Sequence, residues 1–155
     1  MGNPDPLMKS KLELLTNRGV GLYEDKVYLA TVDAHLVALD AKTGKVVWDT
    51  PVADAKQGYY FTLAPLVAKG KVMVGTSGGE LGIRGFIAAF DAQTGKEVWK
   101  TYTIPGPGEP GHETWPGETW KTGGVSVWIT GHYDPQQLQR NLSRKDFVPI
   151  MRSNR

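Results

Sequence analysis

Cysteine is absent from the 155 residues. That excludes a disulfide framework and thiolate metal sites, and it leaves the compartment open. No apolar run approaches the roughly 20 residues a membrane-spanning helix needs. Residues 1–11 lack the apolar segment of a secretory signal. Charge of one sign is scarce too: 18 Lys and Arg against 16 Asp and Glu leave +2, too little by itself to point to nucleic acid or an anionic membrane. The three histidines, His35, His112 and His132, lack metal-ligand spacing. There is no Ser-His-Asp arrangement and no phosphate-binding P-loop. What the chain has in quantity is 19 Gly and 10 Pro with 40% hydrophobic residues. That composition suits one packed domain with many turns.

The turns are spaced regularly. Val20 and Leu22 precede a Glu24-Asp25 turn, Val27, Leu29 and Thr31 alternate with Tyr28 and Ala30, and a turn at 32–34 leads to Leu36, Ala38 and Asp40. Thr43-Gly44 then precedes Val46-Val47-Trp48. Short strands joined by tight turns predict a four-stranded antiparallel unit. A second unit follows: the segment 38–48 matches 89–99 in the pattern A-x-D-A-x-T-G-K-x-V-W, with Trp48 and Trp99 standing 51 residues apart. A repeat of this length with a turn and an aromatic in each copy is a propeller signature. Its strands are expected over 62–67, 71–76, 86–91 and 97–103. Residues 104–121 are rich in Pro and Gly and read as a long loop carrying Trp115 and Trp120. A third unit is expected to start at Thr122 and end near Pro135. Residues 1–16 show no clear period. Residues 136–155 carry five basic residues against Asp146 and read as a solvated, disordered end more readily than as a nucleic-acid arm.

The stretch that interrupts the second unit, Thr76-Ser77-Gly78-Gly79-Glu80-Leu81-Gly82-Ile83-Arg84-Gly85, replaces a short turn of the first. Adjacent glycines let backbone approach a ligand closely. Ser77 offers a hydroxyl and Glu80 a carboxylate, suited to a hard cation or to a flat polyanionic cofactor. The same string also suits a plain Gly-rich connection. Arg18, at the start of the first strand, can clamp a carboxylate or polarise a carbonyl, or lie on the surface. Thr62 and Ser126 are hydroxyl donors or ordinary strand residues. Trp128 can stack on a planar ligand or pack a core. Glu113 and Glu118 form a conceivable acid/base pair, but nothing fixes their separation.

Taken together, NRG (17–19), LVALDAKTGKVVW (36–48), TLAP (62–65), SGGELGIRG (77–85), AAFDAQTGKEVW (88–99) and the WKTGG, Trp128 and YDP signals of 120–135 resemble the quinoprotein alcohol dehydrogenases, the PQQ enzymes of the methanol and ethanol dehydrogenase type. The resemblance implies an all-β chain: two four-stranded blades and the start of a third from an eight-bladed propeller, over residues 17–135. It implies PQQ contacts from Arg18, Thr62, Ser77, Gly78, Gly79, Ser126 (usually threonine in the family) and Trp128, the last as the floor under the ring. Glu80 is implied as ligand of calcium or a lanthanide. The implied chemistry is oxidation of a primary alcohol to an aldehyde. The metal polarises the quinone, an aspartate takes the alcohol proton, hydride passes to the cofactor, and electrons leave to a cytochrome c in the periplasm.

The departures carry expectations of their own. Leu12 and Glu13 stand where the family has adjacent cysteines, and the upstream glutamate contact has no counterpart. The catalytic aspartate and the asparagine metal ligand are expected beyond residue 135, so no catalytic residue is assigned in this chain. Alone, the chain is expected to be an inactive fragment of the propeller. The rival reading is a non-enzymatic PQQ-like propeller scaffold that binds protein partners; it should lack the Gly-Gly-Glu carboxylate and an indole at the axis.

Overall fold

The computed structural model describes residues 16–134. The expectations for residues 1–15, Pro135 and 136–155 fall outside that range. Eight strands form two four-stranded antiparallel sheets. The first holds β1 (Gly21–Tyr23), β2 (Lys26–Ala30), β3 (His35–Asp40) and β4 (Val46–Pro51) in sequential order. The second repeats the order with β5 (Leu66–Ala68), β6 (Lys71–Gly75), β7 (Phe86–Asp91) and β8 (Glu97–Tyr102). The chain is thus all-β in two blades. Among the described residues no helix is long and apolar enough to cross a membrane.

The repeat in sequence is a repeat in hydrogen bonding. Asp40 Oδ1 accepts from the Thr43 amide at 2.7 Å, the Thr43 hydroxyl at 2.7 Å and the Lys42 amide at 3.1 Å. Asp91 Oδ1 does the same with Thr94 N, Thr94 Oγ1 and Gln93 N at 2.8, 2.8 and 3.1 Å. Hydrogen bonds from threonine hydroxyl and amides hold both carboxyls below the usual 3.8. The register shift between Ala38 and Leu39 recurs between Ala89 and Phe90.

The blades are joined by that same motif. Trp48 of the first blade lies on the Asp91–Gly95 turn of the second and donates its Nε1–H to Ala92 O at 3.1 Å. The Tyr28 hydroxyl donates to the same carbonyl at 3.0 Å, and Thr50 Oγ1 donates to Gly95 O at 3.0 Å. A side-chain carbon added at Gly95 would stand 2.7 Å from the Trp48 ring, so only glycine lets the indole lie flat there. Beneath this dock, Tyr28, Ala30, Leu36 and Ala38 pack against Val72, Val74, Phe86, Ala88 and Phe90 in one buried core. Within β2, Tyr28 and Ala30 are fully buried, and Val27 and Leu29 on the opposite face are half-buried.

Three differences from expectation concern where strands begin and end. The second unit's first strand covers Leu66–Ala68, and Thr62 to Pro65 lie outside it. Pro65 has no N–H to continue a ladder. Thr62 instead pairs with the segment before the first blade: Arg18 N donates to Thr62 O at 3.0 Å. β6 and β8 each end one residue earlier than expected, at Gly75 and Tyr102. Residues 122–134 hold no strand; they run along the second blade, with Val127 N donating to Thr76 O at 2.8 Å and Thr130 Oγ1 donating to Ala64 O at 2.9 Å. Each blade is therefore preceded by an extended lead-in, and successive lead-ins touch one another.

Two predictions follow from the dock and its turns. Gly44 and Gly95 share φ near +70°, but only Gly95 faces the neighbouring Trp48, while nothing lies within 4 Å at Gly44. Gly44→Ala should cost about 1 kcal/mol for the left-handed backbone alone. Gly95→Ala should cost about 1–3 kcal/mol more, from overpacking against the indole. Urea unfolding of both variants measures the difference, and equal losses would remove the interblade role of Gly95. The turn carboxyls set an acid limb. Their folded values lie below 3.8, so their stabilisation is complete above that value and is lost as the pH falls through the lowered one. Stability should therefore drop below pH about 4, and the double variant Asp40→Asn, Asp91→Asn should flatten that drop. An unchanged acid limb in the double variant would contradict it.

Candidate functional site

The lead-ins end on one cleft of about 380 Å³, lined by Thr16, Arg18, Tyr60, Thr62, Ser77, Gly78, Glu80, Ser126 and Trp128. Seven of the eight cofactor and metal contacts that the resemblance implies line it. The eighth, Gly79, backs it: a side-chain carbon there would stand 3.0 Å from Ser126 Oγ. Residues as far apart in sequence as Thr16 and Trp128 thus meet because the lead-ins lie side by side.

The contacts are specific. Arg18 Nη1 donates to Thr62 O at 3.3 Å, and its guanidinium carbon lies 4.8 Å from the centre of the Trp128 ring. That cation–π contact fixes the indole at the cleft wall while leaving Trp128 45% exposed. Thr62 Oγ1 and Ser77 Oγ share a hydrogen bond of 2.9 Å, and Thr62 Oγ1 also reaches Trp128 O at 3.3 Å. Both hydroxyl residues are buried, Thr62 at 9% and Ser77 at 3% exposure. Among the described residues no buried side-chain polar atom lacks a partner.

The Gly-rich loop is placed by backbone. Ser77 N donates to Tyr60 O at 2.9 Å. Gly78, at φ 106°, leaves no room for a side chain: its Cβ would fall 2.2 Å from Gly58 O. A short 3-10 turn, Gly79–Leu81, then carries Glu80. The Tyr60 hydroxyl donates to Glu80 Oε1 at 2.5 Å. Burial first, and then that carboxylate, push the Tyr60 hydroxyl up to about 12, so it stays a proton donor across the working range. Tyr60 was not legible as a site residue. Its one signal is the period-2 relation to Thr62 on an extended segment, which puts the two on one side. Arg84 of the same loop serves packing: it donates from Nε and Nη2 to Ile104 O at 3.0 and 2.8 Å and lies 4.0 Å from the Tyr102 ring centre and 4.7 Å from that of Trp120, fastening the Pro-Gly loop.

The other sequence candidates stay apart from the cleft. Glu113 accepts from Gly111 N at 3.0 Å, and Glu118 pairs with Lys121. His35 meets Asp49 at 2.7 Å, and His112 lies against Pro105 O and the edge of Trp120. No group of three His, Cys, Asp or Glu gathers among the described residues.

The donor set fits a planar, anionic quinone beside a hard cation. An indole face and a guanidinium suit the first, and a carboxylate with neutral hydroxyls suits the second. Among the described residues Glu80 is the one carboxylate on the cleft, so these residues supply part of the six to eight oxygens that calcium takes. The Thr62–Ser77 bond gives a direct test of the wall. Thr62→Val should cost about 1–3 kcal/mol by stranding the Ser77 hydroxyl. Adding Ser77→Ala should recover most of it, as read by urea unfolding; a neutral Thr62→Val would contradict the pairing.

Known proteins share the sequence pattern and the fold of this chain. Residues 3–139 match the family model described as the PQQ glucose/ethanol/alcohol dehydrogenase β-propeller domain. The chain is 48% identical over 131 residues to quinohemoprotein alcohol dehydrogenase ADH IIB of Pseudomonas putida, covering 77% of this chain and 19% of that protein. It is 42% identical over 139 residues to the lanthanide-dependent methanol dehydrogenase of Methylacidiphilum fumariolicum, covering 78% and 23%. A solved europium-containing methanol dehydrogenase superposes with a TM-score of 0.72 at 38% identity, over 83% of this chain and 26% of that one. The chain spans about a fifth to a quarter of the length of these relatives.

Proposed function

The chain belongs to the PQQ glucose/ethanol/alcohol dehydrogenase β-propeller family, and from that membership we propose that its axial cleft is part of the cofactor site of a quinoprotein alcohol dehydrogenase. The observation that carries the reading is the convergence of Arg18, Thr62, Ser77, Gly78, Glu80, Ser126 and Trp128 on one cleft. The group bound there supplies an ortho-quinone that accepts the two electrons of an alcohol. Each residue then has a share. Arg18 presents a fixed positive charge and fork of donors to quinone and carboxylate oxygens. Thr62, Ser77 and Ser126 offer hydroxyls, with Gly78 and Gly79 giving backbone access. Trp128 gives a flat wall that keeps water from one face. Glu80 holds the calcium or lanthanide ion.

The substrate class is a primary alcohol, oxidised to an aldehyde. The base that takes the alcohol proton and the remaining metal ligands come from outside these residues. Electron transfer to a cytochrome c and a periplasmic location complete the reading, on the strength of the family. A scaffold function fits less well, because a scaffold has no use for a carboxylate and an indole facing one cleft.

The test has two arms. The 155-residue chain should show no dye-linked alcohol oxidation with PQQ and calcium or lanthanum, since general-base catalysis needs a base within hydrogen-bond reach. In an intact relative, the counterparts of Glu80→Gln and Trp128→Ala should lower turnover by more than about a hundredfold and keep the fold. Full activity and metal content in the Glu80 counterpart would show the loop to be a connection only.

A further inference from the structure

Glu80 sits exposed on a short turn. Gly78 and Gly82 flank it in left-handed backbone, and the turn has no side-chain cap. The hydrogen bond that the structure gives its carboxylate comes from Tyr60, 20 residues earlier. Tyr60 is itself well fixed. It is 8% exposed, its carbonyl accepts from Ser77 N, and its segment is clamped to the loop where Gly78 packs on Gly58 O. A buried, fixed phenol is therefore aimed at an exposed carboxylate.

We infer that Tyr60 is a positioning residue that sets Glu80 as a cation ligand, holding Oε1 in a hydrogen bond and fixing the carboxylate plane before the ion arrives. The inference rests on the reading of Glu80 as the metal carboxylate. A ligand oriented by a partner loses less freedom when the ion binds, and partners of this kind typically change metal affinity by about 10–100-fold. The neighbouring Tyr59 provides a control in the same segment. Its hydroxyl donates to Arg84 O at 3.2 Å and accepts from Arg84 N at 3.3 Å, so its bonds support the same loop away from Glu80.

The experiment titrates the 155-residue chain with lanthanum chloride by calorimetry, comparing Tyr60→Phe, Tyr59→Phe and Glu80→Gln, with a metal-free thermal melt of each. Phenylalanine keeps the ring and its packing in both tyrosine variants. The expected result is affinity about 10–100-fold weaker in Tyr60→Phe, within about twofold in Tyr59→Phe, and absent in Glu80→Gln. Wild-type affinity in Tyr60→Phe would overturn the positioning role and leave Glu80 as ligand. Equal weakening in both tyrosine variants would overturn it as well, showing general support of the loop. Unchanged binding in Glu80→Gln would remove the Glu80 reading and this inference with it.

Discussion

The dock of Trp48 on the Gly95 turn fixes everything downstream. One indole N–H and one phenol share the Ala92 carbonyl, and a glycine with no side chain takes the ring face. A hydrophobic interface alone is non-directional and would let two sheets slide over each other. Directional bonds at the outer edge stop that sliding. The buried Tyr28, Leu36, Phe86 and Phe90 then meet in one arrangement. With the blades held at one angle, the segments before them are brought alongside each other near the inner edge.

That inner edge is where the chemistry-bearing groups gather. Arg18 is tied to Thr62 by its own amide and by its guanidinium, Thr62 to Ser77 and to the Trp128 carbonyl, and Ala64 to Thr130. A lead-in has few ladder bonds of its own, so its polar groups are available to neighbours and to a ligand. The Gly-rich loop adds the one feature without counterpart in the first blade. There Thr31 and Ala34 close a short turn, Ala34 N donating to Thr31 O at 3.1 Å. A rigid sheet carrying one enlarged loop is a usual way to mount a binding group.

The repeat was legible because its determinants are local. Asp40, Thr43 and Gly44, and then Asp91, Thr94 and Gly95, specify the turn within five residues, and the tryptophans recur at a fixed distance. Burial was less legible. Both faces of β2 are apolar, so the alternation of Val27 and Leu29 with Tyr28 and Ala30 did not say which face would be deepest. The strand limits near Thr62 were misplaced because Pro65 and the pairing with Arg18 override strand propensity. On local grounds Arg18, Thr62, Ser126 and Trp128 each had a plain reading as well, and family resemblance was what grouped them, since their convergence on one cleft depends on long-range docking that no local pattern records. Tyr60 escaped for the same reason: its partner lies across a loop, and nothing in the spacing marks a phenol that reaches a carboxylate.

The central claim is that these dispersed residues form one quinone-binding wall. Backbone and indole NMR spectra of the 155-residue chain during titration with PQQ test it most directly, because they register weak binding residue by residue. The amides of Arg18, Thr62, Ser77, Gly78, Glu80 and Ser126 and the Trp128 indole N–H should shift together along one saturating curve. The Trp48 indole, at the dock between the blades, should stay in place. Shifts confined to other surfaces, or none at the cleft at saturating PQQ, would contradict the assignment of this wall to the cofactor.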